Sequence, residues 1–181
     1  MEVETNMLFA QAAFKELEQD DITWLKDKSA PRILDKDEFI FYPGDPSQTV
    51  YFINSGRIKL GAYNPEGKEM IKHIFFKNEF FGIMAISNQK NRANYAKAMD
   101  PDTEITIVNV FDMKELMQKN AAFSLGMSKI MGDRLVQFQE RIESLMFKDT
   151  RTRVIDLLKE FARKQGQKIG DEIMIKHNLT H

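Results

Sequence analysis

The chain has 181 residues, of which 43% are hydrophobic and 29% charged, with a net charge of −1 and an isoelectric point near 6.3. That length suits one compact domain plus an appendage, and the near-neutral charge excludes tight nucleic-acid binding through bulk electrostatics alone. The absence of cysteine excludes disulfides, thiolate-held iron–sulfur clusters and cysteine-based redox sensing.

The N-terminus, MEVETNMLFAQAAF, has no basic segment before an apolar run, and no run approaches a membrane span. The expected location is the cytoplasm, with no membrane partner. Residues 8–27 read as helical, with Leu8, Ala12, Phe14, Leu17, Trp24 and Leu25 forming a loose apolar face broken around Gln19-Asp20-Asp21. Asp21 is the expected cap of a short second helix carrying Trp24, which reads as a core anchor. Pro31 ends the helical signal.

From Arg32 to Val110 the pattern changes. Short β-rich runs recur as RIL, EFIFY, TVYFI, RIKLGAY, EMIKHIFF, NYAKAM and EITIVNV. Turn signals separate them at Pro43-Gly44-Asp45-Pro46, Asn54-Ser55-Gly56, Asn64-Pro65-Glu66-Gly67 and Asp100-Pro101-Asp102. Strands this short and evenly spaced predict an antiparallel sandwich or roll. Asn64–Gly67 reads as a hairpin turn, since Pro65 presets φ and Gly67 can take positive φ.

From Phe111 the chain turns helical. Asp112 with Glu115 has the reciprocal capping pattern, and a short helix runs to about Lys119. Asn120 is expected to break it before a long helix to about Lys148. On that helix Met131, Leu135, Phe138, Ile142 and Leu145 recur at spacings of four, three, four and three, an a/d seam. Met127, Ile130, Met146 and Phe147 lie off the seam. Two apolar faces call for two partners: the chain's own β domain and the same helix of a second subunit, or else one wide core stripe in a monomer. Asp149 is expected to cap a further helix with Val154, Leu157, Leu158 and Phe161 on one face and Gly166 at its end. A strand is expected at Ile173–Lys176. Thr180 looks like a helix cap with no helix after it, so the ending reads as an interruption.

The ordered set of motifs resembles the Crp–Fnr family of bacterial transcription regulators. Gly44, Tyr51-Phe-Ile and Gly56 resemble the glycine–aromatic–glycine opening of its β-roll. Gly67-Lys68-Glu69-Met70-Ile71 is similar to the hairpin of its cyclic-AMP-binding members. Phe81-Gly82 resembles the start of the phosphate-binding cassette. Asp133-Arg134-Leu135, Phe147-Lys-Asp149 and Arg153-Val154-Ile155 resemble the dimer helix and the hinge after it. The resemblance covers nearly the whole chain. It implies an α+β fold: an antiparallel β-roll (a double-stranded β-helix of cyclic-nucleotide-binding type), short N-terminal helices and a long C-terminal dimerisation helix. The implied division is N-terminal helices and sensor roll over residues 1–120, dimerisation helix over 121–148, and the start of a DNA-binding domain over 149–181. It also implies a homodimer, RNA polymerase as a partner, and DNA contact only through a winged helix-turn-helix that would follow Leu179-Thr180-His181. The chain then reads as the sensor and dimerisation part of a regulator, or as a natural short form.

The family's cyclic-nucleotide binders present Gly-Glu and then Arg-Ser or Arg-Thr to the cyclic phosphate and ribose. The resemblance therefore makes Phe81, Gly82, Ile83, Arg92, Ala93, Phe138 and Gln139 the candidate pocket. This chain departs from the pattern. Ile83 stands at the glutamate position and Ala93 at the hydroxyl position. The loop between them is shorter by one residue, and Phe138 and Gln139 align with the adenine-facing threonine and serine. A ribose hydroxyl facing Ile83 would lose its acceptor, at a cost of roughly 1–3 kcal/mol. Cyclic AMP is therefore expected to bind weakly or not at all. The competing reading of Arg92 is a solvated loop charge beside Lys90 and Asn91. The cofactor stays unassigned: the cassette is left to another anion, to haem, or to nothing.

His73 is the one histidine outside the C-terminal tail, in a strand between Lys72 and Ile74. A strand histidine is ordinarily exposed or hydrogen-bonded, and it is the sole candidate haem or metal ligand. A metal-dependent enzyme on a roll needs several histidines and a carboxylate converging, and no nucleophile–base pair stands out, so no enzyme is expected. The methionines read as core filler. Arg151, Arg153, Arg163, Lys164 and Lys168 are interleaved with acids and read as a solvated face. The alternative function is a stand-alone cyclic-nucleotide-type binding or interaction module.

Overall fold

The computed structural model describes residues 14, 17–87, 89–170 and 172–175. Leu8, Ala12, Lys176 and the Asn178–His181 ending lie outside these. The chain divides into two compact units, residues 1–128 and 129–181.

The first unit opens with helix α1 (Gln19–Asp27). Eight strands follow: β1 (Ala30–Leu34), β2 (Phe39–Phe41), β3 (Thr49–Ile53), β4 (Ile58–Tyr63), β5 (Glu69–Phe75), β6 (Phe80–Phe81), β7 (Tyr95–Ala98) and β8 (Thr103–Asn109). They form two antiparallel four-stranded sheets in the orders β1-β8-β3-β6 and β2-β7-β4-β5. This is the expected roll. Strand β6 is an addition: two residues are too few to show a period, and Lys77-Asn78-Glu79 separate Phe80-Phe81 from the preceding run.

Strand β3 shows why the roll is stable. Val50, Tyr51, Phe52 and Ile53 are all buried, because its two faces are both covered. Tyr51 and Ile53 join Leu34, Phe41, Ile58, Phe75, Phe81, Ala96, Ala98 and Ile105 inside the roll. Phe52 points the other way, its ring 5.2 Å from Phe14 and 5.6 Å from Phe80, and Phe14 lies 5.0 Å from Phe123. Burying these rings is the main favourable term in the domain.

The Asn64–Gly67 turn forms as expected. Asn64 Oδ1 accepts from Glu66 N at 3.1 Å and Lys68 N at 2.8 Å, and Gly67 has φ +80°. Two capping expectations are corrected. Asp21 does not cap α1; Glu18 holds that position and Asp21 sits in the first turn. Asp21 instead accepts from Asn120 Nδ2 at 3.1 Å. Asp112 does not cap α2 (Val110–Lys119). Asn109 does, its side chain accepting from Phe111 N at 2.9 Å, because the helix starts at Val110, two residues before Asp112. Asn120 ends α2 in extended conformation, and its Oδ1 accepts from Phe123 N at 2.9 Å, starting α3 (Ala121–Phe147). Asn120 is thus both the break and the cap.

The second unit takes the rest of α3, then α4 (Thr150–Gln165) and a hairpin of β9 (Gln167–Ile169) and β10 (Glu172–Met174). Asp149 caps α4 as expected, accepting from Thr152 N at 2.7 Å. Gly166 ends the helix where a Cβ would collide with Ala162 O and the Ile173 side chain, so the hairpin packs back on the helix end. Among the described residues no helix is long and apolar enough to cross a membrane.

Candidate functional site

The site is built where β6 meets the turn before β3. Gly82 has φ +83°, and a 3-10 turn over Ile83–Ala85 follows it. A side chain at Gly82 has no room. A Cβ there would lie 2.9 Å from Thr49 O, 3.1 Å from Arg92 Nη1 and 3.1 Å from Tyr51 Cδ2. The structure thus brings Phe81, Gly82, Ile83 and Arg92 together.

Arg92 is 6% exposed, which overturns its reading as a solvated loop charge. Its backbone is fixed by a short antiparallel pairing with the Gly44 turn. Gly44 N donates to Arg92 O, Arg92 N to Asp45 O and Ser47 N to Lys90 O, each at 2.8 Å. The side chain runs inward. Nη1 donates to Gly82 O at 3.1 Å; Nη2 donates to Thr49 O and, at 3.1 Å, to Thr49 Oγ1. The guanidinium carbon lies 4.5 Å from the centre of the Phe41 ring and 5.6 Å from that of Tyr51, in cation–π range. Burial pushes the Arg92 guanidinium below its ordinary value, and Tyr51 and Asp45 oppose that shift.

Aromatic rings floor the site. Tyr51 stacks on Phe81 at 4.9 Å, Phe81 on Phe75 at 5.5 Å, and Phe41 tilts against Tyr51 at 5.7 Å. His73, half-buried on β5, has its ring 4.3 Å from Phe75. Ile83 is buried and apolar, so this position offers no acceptor to a hydroxyl. Ala93 is exposed beside the buried Arg92. Phe138 and Gln139 belong to the second unit, on an exposed stretch of α3. Sequence reasoning missed Thr49, Tyr51 and Phe41 as the partners of Arg92. Nothing in a strand run announces that one of its main-chain oxygens faces a cation brought from about forty residues away.

Along α3, Met131 is half-buried, whereas Leu135, Phe138, Ile142 and Leu145 are 60%, 62%, 43% and 60% exposed. Of the residues off the seam, Met127 is buried in the first unit together with Phe123, but Met146 and Phe147 are 72% and 81% exposed. The second apolar face is therefore satisfied only at the start of the helix.

Residues 31–120 match the family model of the cyclic nucleotide-binding domain. The chain is 28% identical over 149 residues to the global nitrogen regulator of Nostoc sp., covering 81% of this chain and 66% of that regulator. It is therefore aligned to just under two thirds of that relative's length. Among solved structures, it is similar to the sensor domain of the transcriptional regulator DNR from Pseudomonas aeruginosa. That likeness has a TM-score of 0.68 at 24% identity and covers 79% of this chain and 95% of that one. It is also similar to the catabolite activator protein of Thermus thermophilus. There the TM-score is 0.63 at 24% identity, covering 84% of this chain and 71% of that one.

Proposed function

We infer the function from one premise: residues 31–120 match the cyclic nucleotide-binding domain, and the relatives of the chain are transcription regulators of the Crp–Fnr type. It is the effector-sensing and dimerisation portion of a DNA-binding transcription regulator, not an enzyme. Residues 1–120, with the roll, are the sensor, 121–148, with α3, the dimerisation segment, and 149–181 the start of the DNA-binding part. An effector acts by favouring one of two arrangements of the dimer helices, and hence of the DNA-reading domains.

The observation that carries this reading is the row Leu135, Phe138, Ile142 and Leu145, a heptad-spaced set of large apolar side chains each at least 43% exposed in the single chain. Such a seam is covered by an identical helix across a two-fold axis. Cyclic AMP is bound weakly or not at all, since Ile83 is buried at the position that must accept the ribose hydroxyl and Ala93 lacks the second contact. The working location is the cytoplasm. DNA is contacted through a winged helix-turn-helix of the kind the family places after such a strand, and RNA polymerase is the expected partner at the promoter. Sedimentation equilibrium of the chain tests the reading. A dimer of twice 21.1 kDa is expected, and a monomer across the micromolar range would overturn the seam assignment.

A further inference from the structure

In the Crp–Fnr pattern the arginine of the cassette serves a ligand's phosphate. Here the protein's own atoms surround it. We propose that Arg92 is an internal clasp: the main-chain oxygens of Thr49 and Gly82 hold the guanidinium in place of an anionic effector, so the Gly82 turn is seated without a ligand.

Four segments converge on this side chain. Thr49 O and Oγ1 come from β3, and Gly82 O comes from the turn after β6. The Phe41 ring comes from β2, in the opposite sheet. The fourth is the Gly44–Ser47 turn, which holds the Arg92 backbone through both its N–H and its carbonyl. The clasp therefore ties the two sheets together as well as seating the turn. Thr49 Oγ1 also donates to Tyr51 Oη at 2.7 Å, which orients the hydroxyl whose lone pair faces Arg92.

The alternative is a resting arginine that swings out to an incoming anion. Three features oppose it. The backbone on either side is locked, so the side chain alone would have to move. The guanidinium is stacked on Phe41, and withdrawal would leave a gap between buried rings. Withdrawal would also take a charged donor from Thr49 O and Oγ1 and leave Gly82 O with Ala85 N, at 3.1 Å. Arg92 Nε is buried without a hydrogen-bond partner, so the clasp is incomplete at one corner, yet the forked end is engaged on both nitrogens.

The test is thermal unfolding of the whole chain in phosphate-free buffer, for wild type, Arg92→Met and Arg92→Lys. Wild type and Arg92→Met are then titrated with inorganic phosphate and with cyclic AMP at matched ionic strength. The Met variant is expected to melt about 5–10 °C lower, since it loses several charge-assisted hydrogen bonds. The Lys variant, lacking the fork, recovers less than half of that loss. Neither phosphate nor cyclic AMP raises the wild-type midpoint above the salt control. Two results overturn the clasp: a Met variant that melts with wild type, or a wild-type midpoint that climbs with either anion while that of Arg92→Met stays flat. If Arg92→Met does not fold, the Lys variant and the wild-type titration decide. None of these readouts depends on dimerisation, which sedimentation tests separately.

Discussion

At Gly82 the backbone sits at φ +83°, and a Cβ would press on Thr49 O, Arg92 Nη1 and Tyr51 Cδ2 at once. Two costs add there, the left-handed backbone and the overpacking. Gly82→Ala should lose about 2–5 kcal/mol, read as a lower urea midpoint with an unchanged m-value. On the other sheet, Glu69 is a different kind of anchor. It accepts from Tyr95 Oη and pairs with Lys59 Nζ at 2.7 Å. Partial burial raises its carboxyl, but the Lys59 and Tyr95 contacts outweigh that and leave it below its ordinary 4.5. A carboxylate depressed in the native state contributes stability above its unfolded pKa and loses it as pH falls through the native one. Glu69→Gln should therefore destabilise the protein at neutral pH and flatten the acid limb of its stability profile below about pH 4.5; unfolding curves at stepped pH would read both effects. Burial, and then Glu69, raise the Tyr95 phenol, which keeps it a donor throughout this range.

Individual elements owe their boundaries to single polar side chains. Asn120 closes α2 and opens α3, and its amide nitrogen reaches Asp21 of α1. Asn120→Ala should cost about 0.5–2 kcal/mol, measured by chemical denaturation, with the loss falling on the first unit. Asn120→Asp retains the cap oxygen but sets a second carboxylate beside Asp21, so it should recover only part of the loss. The Asn120 break was legible in the sequence, because a polar residue in an apolar-periodic stretch interrupts the pattern. The starts of α1 and α2 were not. Asp21 and Asp112 each look like a cap by type, yet each stands inside a first turn where an acid is also favoured by the helix dipole. Residue type distinguishes poorly between those two positions.

For the whole molecule, the question is what covers the apolar seam of α3. Phe138→Glu and Leu135→Glu place a charge in a helix pair but on a surface already exposed in the single chain. Each should shift the sedimenting species towards a monomer and leave the far-ultraviolet signal of the roll intact. A variant that loses the roll as well would argue that the seam is part of one monomeric core.

The chain by itself determined its strand runs, its hairpin turn at Asn64–Gly67, the α4 cap at Asp149 and the heptad seam. These depend on residues close in sequence, where turn chemistry and periodicity act directly. The family resemblance was legible too, because its motifs are ordered along the chain. Only the tertiary structure decided what Arg92 does. In the chain it is a cation in a polar loop between Asn91 and Ala93. In the fold it is buried against Phe41 and held by oxygens of Thr49 and Gly82. Those partners are main-chain atoms, which every residue carries, so no residue type marks them in advance. Their convergence is set by sheet order and by a left-handed glycine, and both come from the packing of the roll as a whole.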